Sequence, residues 1–329
     1  HVVRARYVVG CDGAHSRVRE SIGAAPHGDF ANHVWGVMDV LAVTDFPDIR
    51  LKAAIQSADH GNVLIIPREG GYLVRLYVDL GDVDPEKRAA VREITADQAI
   101  AAAQRVLRPY TLDVRDVAWF SVYEVGQRVT DRFDDVRPED AASRLPRVFI
   151  AGDACHTHSA KAGQGMNVSM QDAFNLGWKL VSVLEGRAGP ELLRTYSTER
   201  RAIAQELIDF DRRWSRTMSS PPKDPAHPER GGVDPAELQA QFMQSGRYTA
   251  GVATRYAPAT PLTAEPTHQP LAAGFVIGMR FHSAPVVRLA DAKPVELGHV
   301  ARADAAWRLY AFGDAGARRL LDLMAFLHD

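Results

Sequence analysis

The sequence predicts an α/β (α+β) fold, and three observations predict it. Apolar runs of strand length end at glycine-containing turns near residues 10 and 152. A segment with helical spacing follows each turn, and the stretch between them alternates apolar and polar residues, which is typical of strands with one buried face. With 329 residues, 46% of them hydrophobic, the chain is long enough for two or three domains.

The first predicted element is a strand, a tight turn and a helix start in residues 6–16, RYVVGCDGAHS. Asp12 and Gly13 occupy the turn, where glycine tolerates backbone angles that other residues avoid. Arg17 and Arg19 fall in the first helical turn and are candidates to meet phosphate oxygens, although an exposed arginine is more often simply solvated.

A sheet with one helix is predicted between the two turns, over residues 31–130. Alternation predicts strands at 33–43, 62–67, 72–80 and 113–128. Residues 84–108, which begin with Asp84-Pro85, have the spacing of a helix. We expect this inserted sheet to cover a substrate.

The second turn follows the apolar run 148–151. Gly152 permits a sharp exit, which places Asp153 beyond the carboxyl end of the strand, where open α/β sheets bind ligands. Asp153 can accept hydrogen bonds from sugar hydroxyls there. The alternative is an ordinary strand-loop-helix connection in which the aspartate caps the helix.

A glycine-rich loop then leads into a long predicted helix. Gly163 and Gly165 flank Gln164, and they let a flat ring or a phosphate approach the backbone at the helix start, whose positive end favours an anionic ligand. Helical spacing predicts a buried face made of Met170, Ala173, Phe174, Gly177, Leu180, Val181 and Leu184. Gly186 is the stop signal.

Charge and cysteine content exclude several classes of function. A net charge of -2 gives no field for nucleic acid or an anionic membrane, and no apolar run reaches the length of a membrane span. Cys11 and Cys155 predict reduced thiols and a cytoplasmic location. We predict no metal at Cys155-His156-Thr157-His158, because neighbouring residues of one turn rarely converge on one ion.

The strings GDACHTH, AGQGMN and DAFNLGWKL resemble the second flavin fingerprint of the FAD-dependent aromatic hydroxylases, a group of flavoprotein monooxygenases. The likeness is strongest to the branch with phenol 2-monooxygenase and 3-hydroxybenzoate 4-monooxygenase, and RYVVGCDGAHS resembles the family's DG fingerprint. Ala160 stands where the family often has proline. The resemblance implies FAD binding by Asp12, Gly13, Arg17, Gly152, Asp153, Gly163, Gln164, Gly165, Met166 and Asn167.

The segment IIPREGGYLVRLYV resembles a family segment whose Arg and Tyr face the substrate, which implies catalytic roles for Arg68 and Tyr77. Lys52 is a further candidate to bind a substrate carboxylate. The open alternatives are a surface ion pair for Arg68, cross-strand packing for Tyr77 and simple solvation for Lys52.

The resemblance implies a monooxygenase that hydroxylates a phenolic ring with NAD(P)H and O2 through a C4a-hydroperoxyflavin. Residues 1–30 and 131–218 then belong to a Rossmann-like FAD-binding domain, 219–270 is a proline-rich linker with loops, and 271–329 begins a thioredoxin-like domain that helps to form homodimers. Alternatives are epoxidation or halogenation by the same scaffold, or a non-catalytic nucleotide-binding or dimerisation fragment. Because the GxGxxG unit is absent from the chain, we expect the carboxyl-ward part of a longer protein, inactive alone.

Overall fold

A computed structural model describes residues 2–57, 59–82, 91, 93–158, 165–219, 223, 232–234, 236, 239–240, 243, 250–258, 260–301, 304, 306–313 and 316–328. The chain forms two compact units, His1–Arg280 and Phe281–Asp329. Within the described part of the chain, we find no helix with the length and apolar character needed to cross a bilayer.

The first unit contains a six-stranded sheet, and the inserted substrate domain of residues 31–130 stays a prediction. The strands of the sheet are β2 (Pro26–Thr44), β3 (Ala53–Ser57), β4 (Gly61–Pro67), β5 (Leu73–Asp82), β6 (Leu112–Thr130) and β8 (His156–Thr157). They lie in the order β3-β4-β5-β2-β6-β8, and their described pairings are all antiparallel. The predicted strands are confirmed, and β3 is a strand that the sequence analysis missed.

One face of this sheet packs against helix α2 (Ala96–Val106). Strand side chains such as Met38, Ile65 and Leu76 are completely buried against it. The prediction of one continuous helix from 84 to 108 was wrong, because residues 93–95 are not helical. A helix begins after Thr95, whose hydroxyl accepts a hydrogen bond from the Gln98 amide and caps it. Residues 83–90 and 92 lie outside the described residues.

The second hydrophobic core of this unit is built around a parallel pair of strands. β1 (Val8–Gly10) pairs with β7 (Val148–Ile150), so the predicted α/β class combines parallel and antiparallel pairing. Helix α1 (Arg17–Ser21) packs close to β1, since a Cβ on Gly10 would lie only 2.6 Å from that of Val18. Helices α3 (Gly165–Leu184) and α4 (Arg194–Ser219) complete this core, with Phe149, Leu176 and Tyr196 inside it.

The predicted buried face of α3 was wrong for most of its residues, although Leu180 is partly buried against this core. Phe174 is 76% exposed, and Met170, Val181 and Leu184 are exposed as well. The buried residues are Val168, Asp172, Asn175, Leu176, Lys179 and Val183. Polar side chains are buried there because charged partners on α4 meet them, an effect that apolar spacing cannot reveal. The predicted helix stop is confirmed, because α3 ends at Leu184 and Gly186 has a φ of +71°.

In the second unit, β9 (Pro285–Arg288) and β10 (Lys293–Glu296) form an antiparallel pair. Helices α5 (Leu297–Val300) and α6 (Arg318–His328) follow. The thioredoxin-like assignment of residues 271–329 stays a prediction. Of the predicted proline-rich linker and loops, 219–270, most of residues 219–249 lie outside the described residues.

Candidate functional site

Two turns meet at the carboxyl ends of the parallel strands β1 and β7. The register places Gly10 opposite Ile150, so the turns that follow them are neighbours. The guanidinium of Arg19 donates hydrogen bonds to the carbonyl oxygens of Ala154, at 3.0 Å, and Ala14, at 2.8 Å. Arg19 therefore joins the two turns into one structure at the sheet edge where ligands bind in α/β folds.

Asp12 fixes the first of these turns. Its carboxylate accepts hydrogen bonds from the Ser16 hydroxyl at 2.5 Å and from the amides of Arg17 and Val18 at 2.7 and 3.1 Å. These bonds, the one from Ser16 first, hold the pKa of Asp12 below its usual value. Gly13 has a φ of +82° and open space where a Cβ would point, which suits close approach of a ligand.

Arg17 lies on the surface of α1. Its guanidinium is 3.2 Å from the carboxylate of Glu20, and both side chains are largely exposed. This geometry agrees with the solvated alternative for Arg17, and its contact with phosphate stays a prediction.

Contacts with α3 fix the position of the second turn. Gly152 is buried with a φ of +65°, and its amide donates to the Asp172 carboxylate at 3.3 Å. A Cβ on Gly152 would lie 3.3 Å from Ser169, so glycine lets helix and turn pack closely. Asp153, next in the chain, is exposed, and its contact with a sugar hydroxyl stays a prediction.

The first turn of α3 holds three of the predicted cofactor residues. Met166 is 72% exposed, while Gly165 and Asn167 are partly buried. A Cβ on Gly165 would lie 2.2 Å from the ring of His158, so any larger residue there would require that imidazole to move. Gly163, Gln164 and the departure at Ala160 lie outside the described residues.

A buried ionic cluster behind the second turn is a feature that the sequence analysis missed. The carboxylate of Asp172 accepts from Arg200 Nε at 2.7 Å and lies 2.7 Å from His156 Nε2, and all three side chains are fully buried. Tyr196 adds a hydrogen bond of 2.7 Å to the carbonyl of Ile150. Together these contacts connect α3 and α4 to the end of β7 and to the turn.

A second buried pair lies further along the same helices. Lys179 donates to Glu199 at 2.6 Å, and Asn175 donates to the same carboxylate at 2.9 Å. Burial lowers the pKa of Lys179 to about 8, and Glu199 opposes that shift. The spacing of Asp172, Asn175 and Lys179 along one helical face was the available signal for this polar seam.

The face of the large sheet opposite α2 carries charged and aromatic side chains, and we call it the open sheet face, although its central residues Trp35, Val37 and Asp39 are buried. Its main residues are Trp35, Val37, Asp39, Arg75, Tyr77, Trp119 and Tyr123, which the register brings together across β2, β5 and β6. Asp39 lies opposite Arg75 on one side and Trp119 on the other. Arg75, which the sequence analysis missed, lies two residues before Tyr77 on the same face.

Asp39 and Arg75 form a two-pronged ion pair on this face. Nε and Nη2 of Arg75 lie 2.7 and 2.6 Å from the two carboxylate oxygens, and the guanidinium is 5.1 Å from the Trp119 ring centroid. The hydrogen bond from Arg75 holds the pKa of Asp39 below its usual value. The pKa of Arg75 is raised by the same bond, with a further contribution from the Tyr77 hydroxyl.

The structure brings Arg68 to this face and leaves Lys52 at its margin. Arg68 Nε is 3.9 Å from Asp39, and its Nη2 is 2.9 Å from Glu69. The surface ion pair considered as an alternative for Arg68 is therefore present. Lys52 is exposed directly before β3, the edge strand, about 10 Å from β5 at the usual strand spacing.

Comparison with known proteins gives two family matches. Residues 1–211 match the family described as FAD binding domain, and residues 247–329 match the one described as phenol hydroxylase, C-terminal dimerisation domain. The solved structure of OxyS anhydrotetracycline hydroxylase from Streptomyces rimosus is similar with a TM-score of 0.60 and 26% identity, covering 88% of this chain and 52% of that one.

Two curated relatives are similar over most of this chain. A 3-hydroxybenzoate 4-monooxygenase of Comamonas testosteroni is 64% identical over 312 residues, which cover 94% of this chain and 48% of that protein. Phenol 2-monooxygenase fsqG of Aspergillus fumigatus is 41% identical over 313 residues, covering 94% and 50%. The chain therefore spans about half the length of the curated relatives it matches.

The residues present fit FAD. The two adjoining turns expose Asp153 and leave open space at Gly13, and Gly165 places the start of a 20-residue helix close by. Such a constellation supplies a hydroxyl acceptor, close backbone approach and a positive helix end, which are what a dinucleotide with an electron-accepting ring needs. The chain belongs to the FAD binding domain family, and its resemblance to the FAD-dependent aromatic hydroxylases is confirmed.

Proposed function

We propose that the full-length protein containing this chain is an FAD-dependent monooxygenase that hydroxylates a phenolic ring, with NAD(P)H and O2 as co-substrates. The 64% identity to a 3-hydroxybenzoate 4-monooxygenase supports a hydroxybenzoate as substrate. The observation that carries the proposal is the open sheet face, where a guanidinium and a phenol hydroxyl lie beside aromatic rings.

The open sheet face would bind and polarise the substrate. The Tyr77 hydroxyl can hydrogen-bond the substrate hydroxyl as it loses its proton, and the guanidinium of Arg68 lowers the free energy of a phenolate. Trp119, beside Arg75, offers a flat apolar surface on the same face. Lys52, at the sheet edge, is suited to a ring carboxylate. FAD supplies the activation of dioxygen when it is bound.

The cofactor would be held by the two turns and by the start of α3. We assign ribose hydroxyls to Asp153 and close backbone contacts to Gly13, Gly152 and the first turn of α3, residues 165–167. Asp12 keeps the first turn in shape through its bonds to α1. Gly163 and Gln164 belong to the same proposal by resemblance, as does a phosphate contact of Arg17.

The remaining parts of the proposal concern assembly and location. The match of residues 247–329 to a dimerisation domain supports a homodimer. Cys11 and Cys155 are both free thiols, which supports a reducing compartment such as the cytoplasm.

The test uses the full-length protein purified with its flavin. We expect yellow protein that oxidises NAD(P)H faster when 3-hydroxybenzoate is added, and a dihydroxybenzoate that carries one oxygen atom from labelled O2. Tyr77→Phe should lower kcat about 10- to 100-fold, the usual scale for a proton-transfer group. Tyr110→Phe, at an exposed tyrosine outside the open sheet face, is the matched control. Oxidation of NAD(P)H that no phenol stimulates would refute the proposal.

A further inference from the structure

Asp39 is a buried carboxylate to which the proposed hydroxylation assigns no role. Its side chain is 10% exposed and lies between two guanidinium groups, those of Arg75 at 2.6 Å and Arg68 at 3.9 Å. Its neighbours on the strand, Trp35 and Val37, are apolar. A buried ion pair contributes little net stability compared with apolar residues of similar size, so stability alone does not account for it.

The charge balance around Arg68 and Arg75 depends on this one side chain. Among the described residues, their two guanidinium groups lie within ion-pair distance of the carboxylates of Asp39 and Glu69. Glu69 is 76% exposed, so water and salt screen its charge. The charge of Asp39 is screened far less, and it cancels that of Arg75.

Arg68 retains capacity to bind a further group. Its Nε is buried and has no hydrogen-bond partner among the described residues, although the guanidinium also contacts Glu69 through Nη2. A buried donor left unpaired is unfavourable, and a carboxylate or phenolate oxygen would satisfy it.

We propose that Asp39 is a specificity-determining residue, which neutralises Arg75 and leaves the positive charge of Arg68 for an aromatic substrate with a single negative charge. This inference rests on the proposed function, because it assumes that the open sheet face binds the substrate. Beyond the proposed function, it specifies the charge of the preferred substrate and names the residue that determines this preference.

The test compares two probes of equal shape, 3-hydroxybenzoate and the neutral 3-hydroxybenzamide. The measured quantity is the ratio of their kcat/KM values on the full-length holoenzyme, together with the ratio of their dissociation constants from changes in the flavin spectrum. Asp39→Asn keeps the size of the side chain and removes its negative charge. We expect both ratios to shift about 10-fold toward the acid, the scale of a unit charge a few ångströms away in a partly screened site. Asp39→Glu keeps the charge and should keep the wild-type ratios within about 2-fold.

Two further variants separate charge from structure. Asp113→Asn removes an exposed carboxylate on β6 opposite Val43, about 13 Å along β2 from Asp39, and should leave the ratios unchanged. Asp39→Asn combined with Arg75→Gln removes both charges of the pair, and the ratios should return toward the wild type. This double variant also provides the test if Asp39→Asn alone does not fold, because it leaves no buried charge without a partner.

The outcomes distinguish this inference from the proposed function. A wild-type enzyme that hydroxylates 3-hydroxybenzoate, with ratios that Asp39→Asn does not change, would overturn the inference alone. The inference would also be overturned if the ratios in the double variant stayed shifted as far as in Asp39→Asn. The shift would then depend on the shape of the side chains and not on their charge. A wild-type holoenzyme that binds and hydroxylates neither probe would overturn both.

Discussion

Replacing Asp172 by asparagine tests whether the buried ionic cluster holds the second turn to α3 and α4. The carboxylate is fully buried and meets Arg200 at 2.7 Å, His156 at 2.7 Å and the Gly152 amide at 3.3 Å. Asparagine keeps the shape and one acceptor oxygen, but it leaves the guanidinium of Arg200 buried without a counter-charge. Removing one partner of a buried pair costs about 3–5 kcal/mol, a large share of a typical free energy of unfolding of about 5–15 kcal/mol.

The assay is urea unfolding of the chain, followed by far-ultraviolet circular dichroism. With a slope of about 3 kcal/mol per M, we expect the midpoint to fall by at least about 1 M. Glu185→Gln breaks an exposed pair with Arg187, of 2.7 Å, and should cost less than about 1 kcal/mol. The double variant Asp172→Asn with Arg200→Met removes the uncompensated charge and should be more stable than the sum of the single effects predicts.

Two results would refute this reasoning. One is a loss for Asp172→Asn no larger than that for Glu185→Gln, which would mean that the buried charges are solvated or compensated elsewhere. The other is strict additivity in the double variant, within about 0.5 kcal/mol, which would mean that Asp172 and Arg200 do not interact.

Three further predictions concern other sites. Burial raises the pKa of Asp134 to about 6, so its contribution to stability is present at low pH and is lost as the pH rises through about 6. In urea titrations, Asp134→Asn should therefore increase the free energy of unfolding by about 1–3 kcal/mol at pH 7.5, but not at pH 3.5. Burial also raises the pKa of the Cys155 thiol, so a thiol reagent at pH 8 should label exposed Cys11 in the native chain and both cysteines only after unfolding, as counted by mass spectrometry; rapid native labelling of Cys155 would contradict its burial. Leu176→Ala should cost about 2–5 kcal/mol and Phe174→Ala less than about 0.5 kcal/mol, measured by the same urea assay, and the reverse order would restore the buried face that apolar spacing predicted.

Much of the fold could be predicted because its signals are local. A glycine that needs a positive φ, such as Gly152, or an alternating apolar strand is encoded by neighbouring residues. The motif strings around Asp12 and Asp153 located both turns for the same reason. The start of α2 was harder to predict, because a single capping residue, Thr95, decides where the helix begins.

The exposed face of α3 was beyond local reasoning. Apolar spacing alone would bury Phe174, but the helix buries Asp172 because His156 and Arg200 are there to pair with it. The partners lie 16 and 28 positions away in the chain, so no window of sequence contains the interaction. Burial of a polar side chain depends on its partners, and only the tertiary structure supplies them.

On the open sheet face, too, some features follow from the sequence and others only from the tertiary structure. The sequence by itself determined the strands, the alternation that puts Arg75 and Tyr77 on one side, and the resemblance that pointed to Tyr77. Only the tertiary structure decided that Asp39, 36 positions from Arg75, would neutralise it, because strand register brings distant residues within 2.6 Å. Electrostatic interactions act through space, so the charge available to a substrate is a property of the folded sheet and not of any one segment.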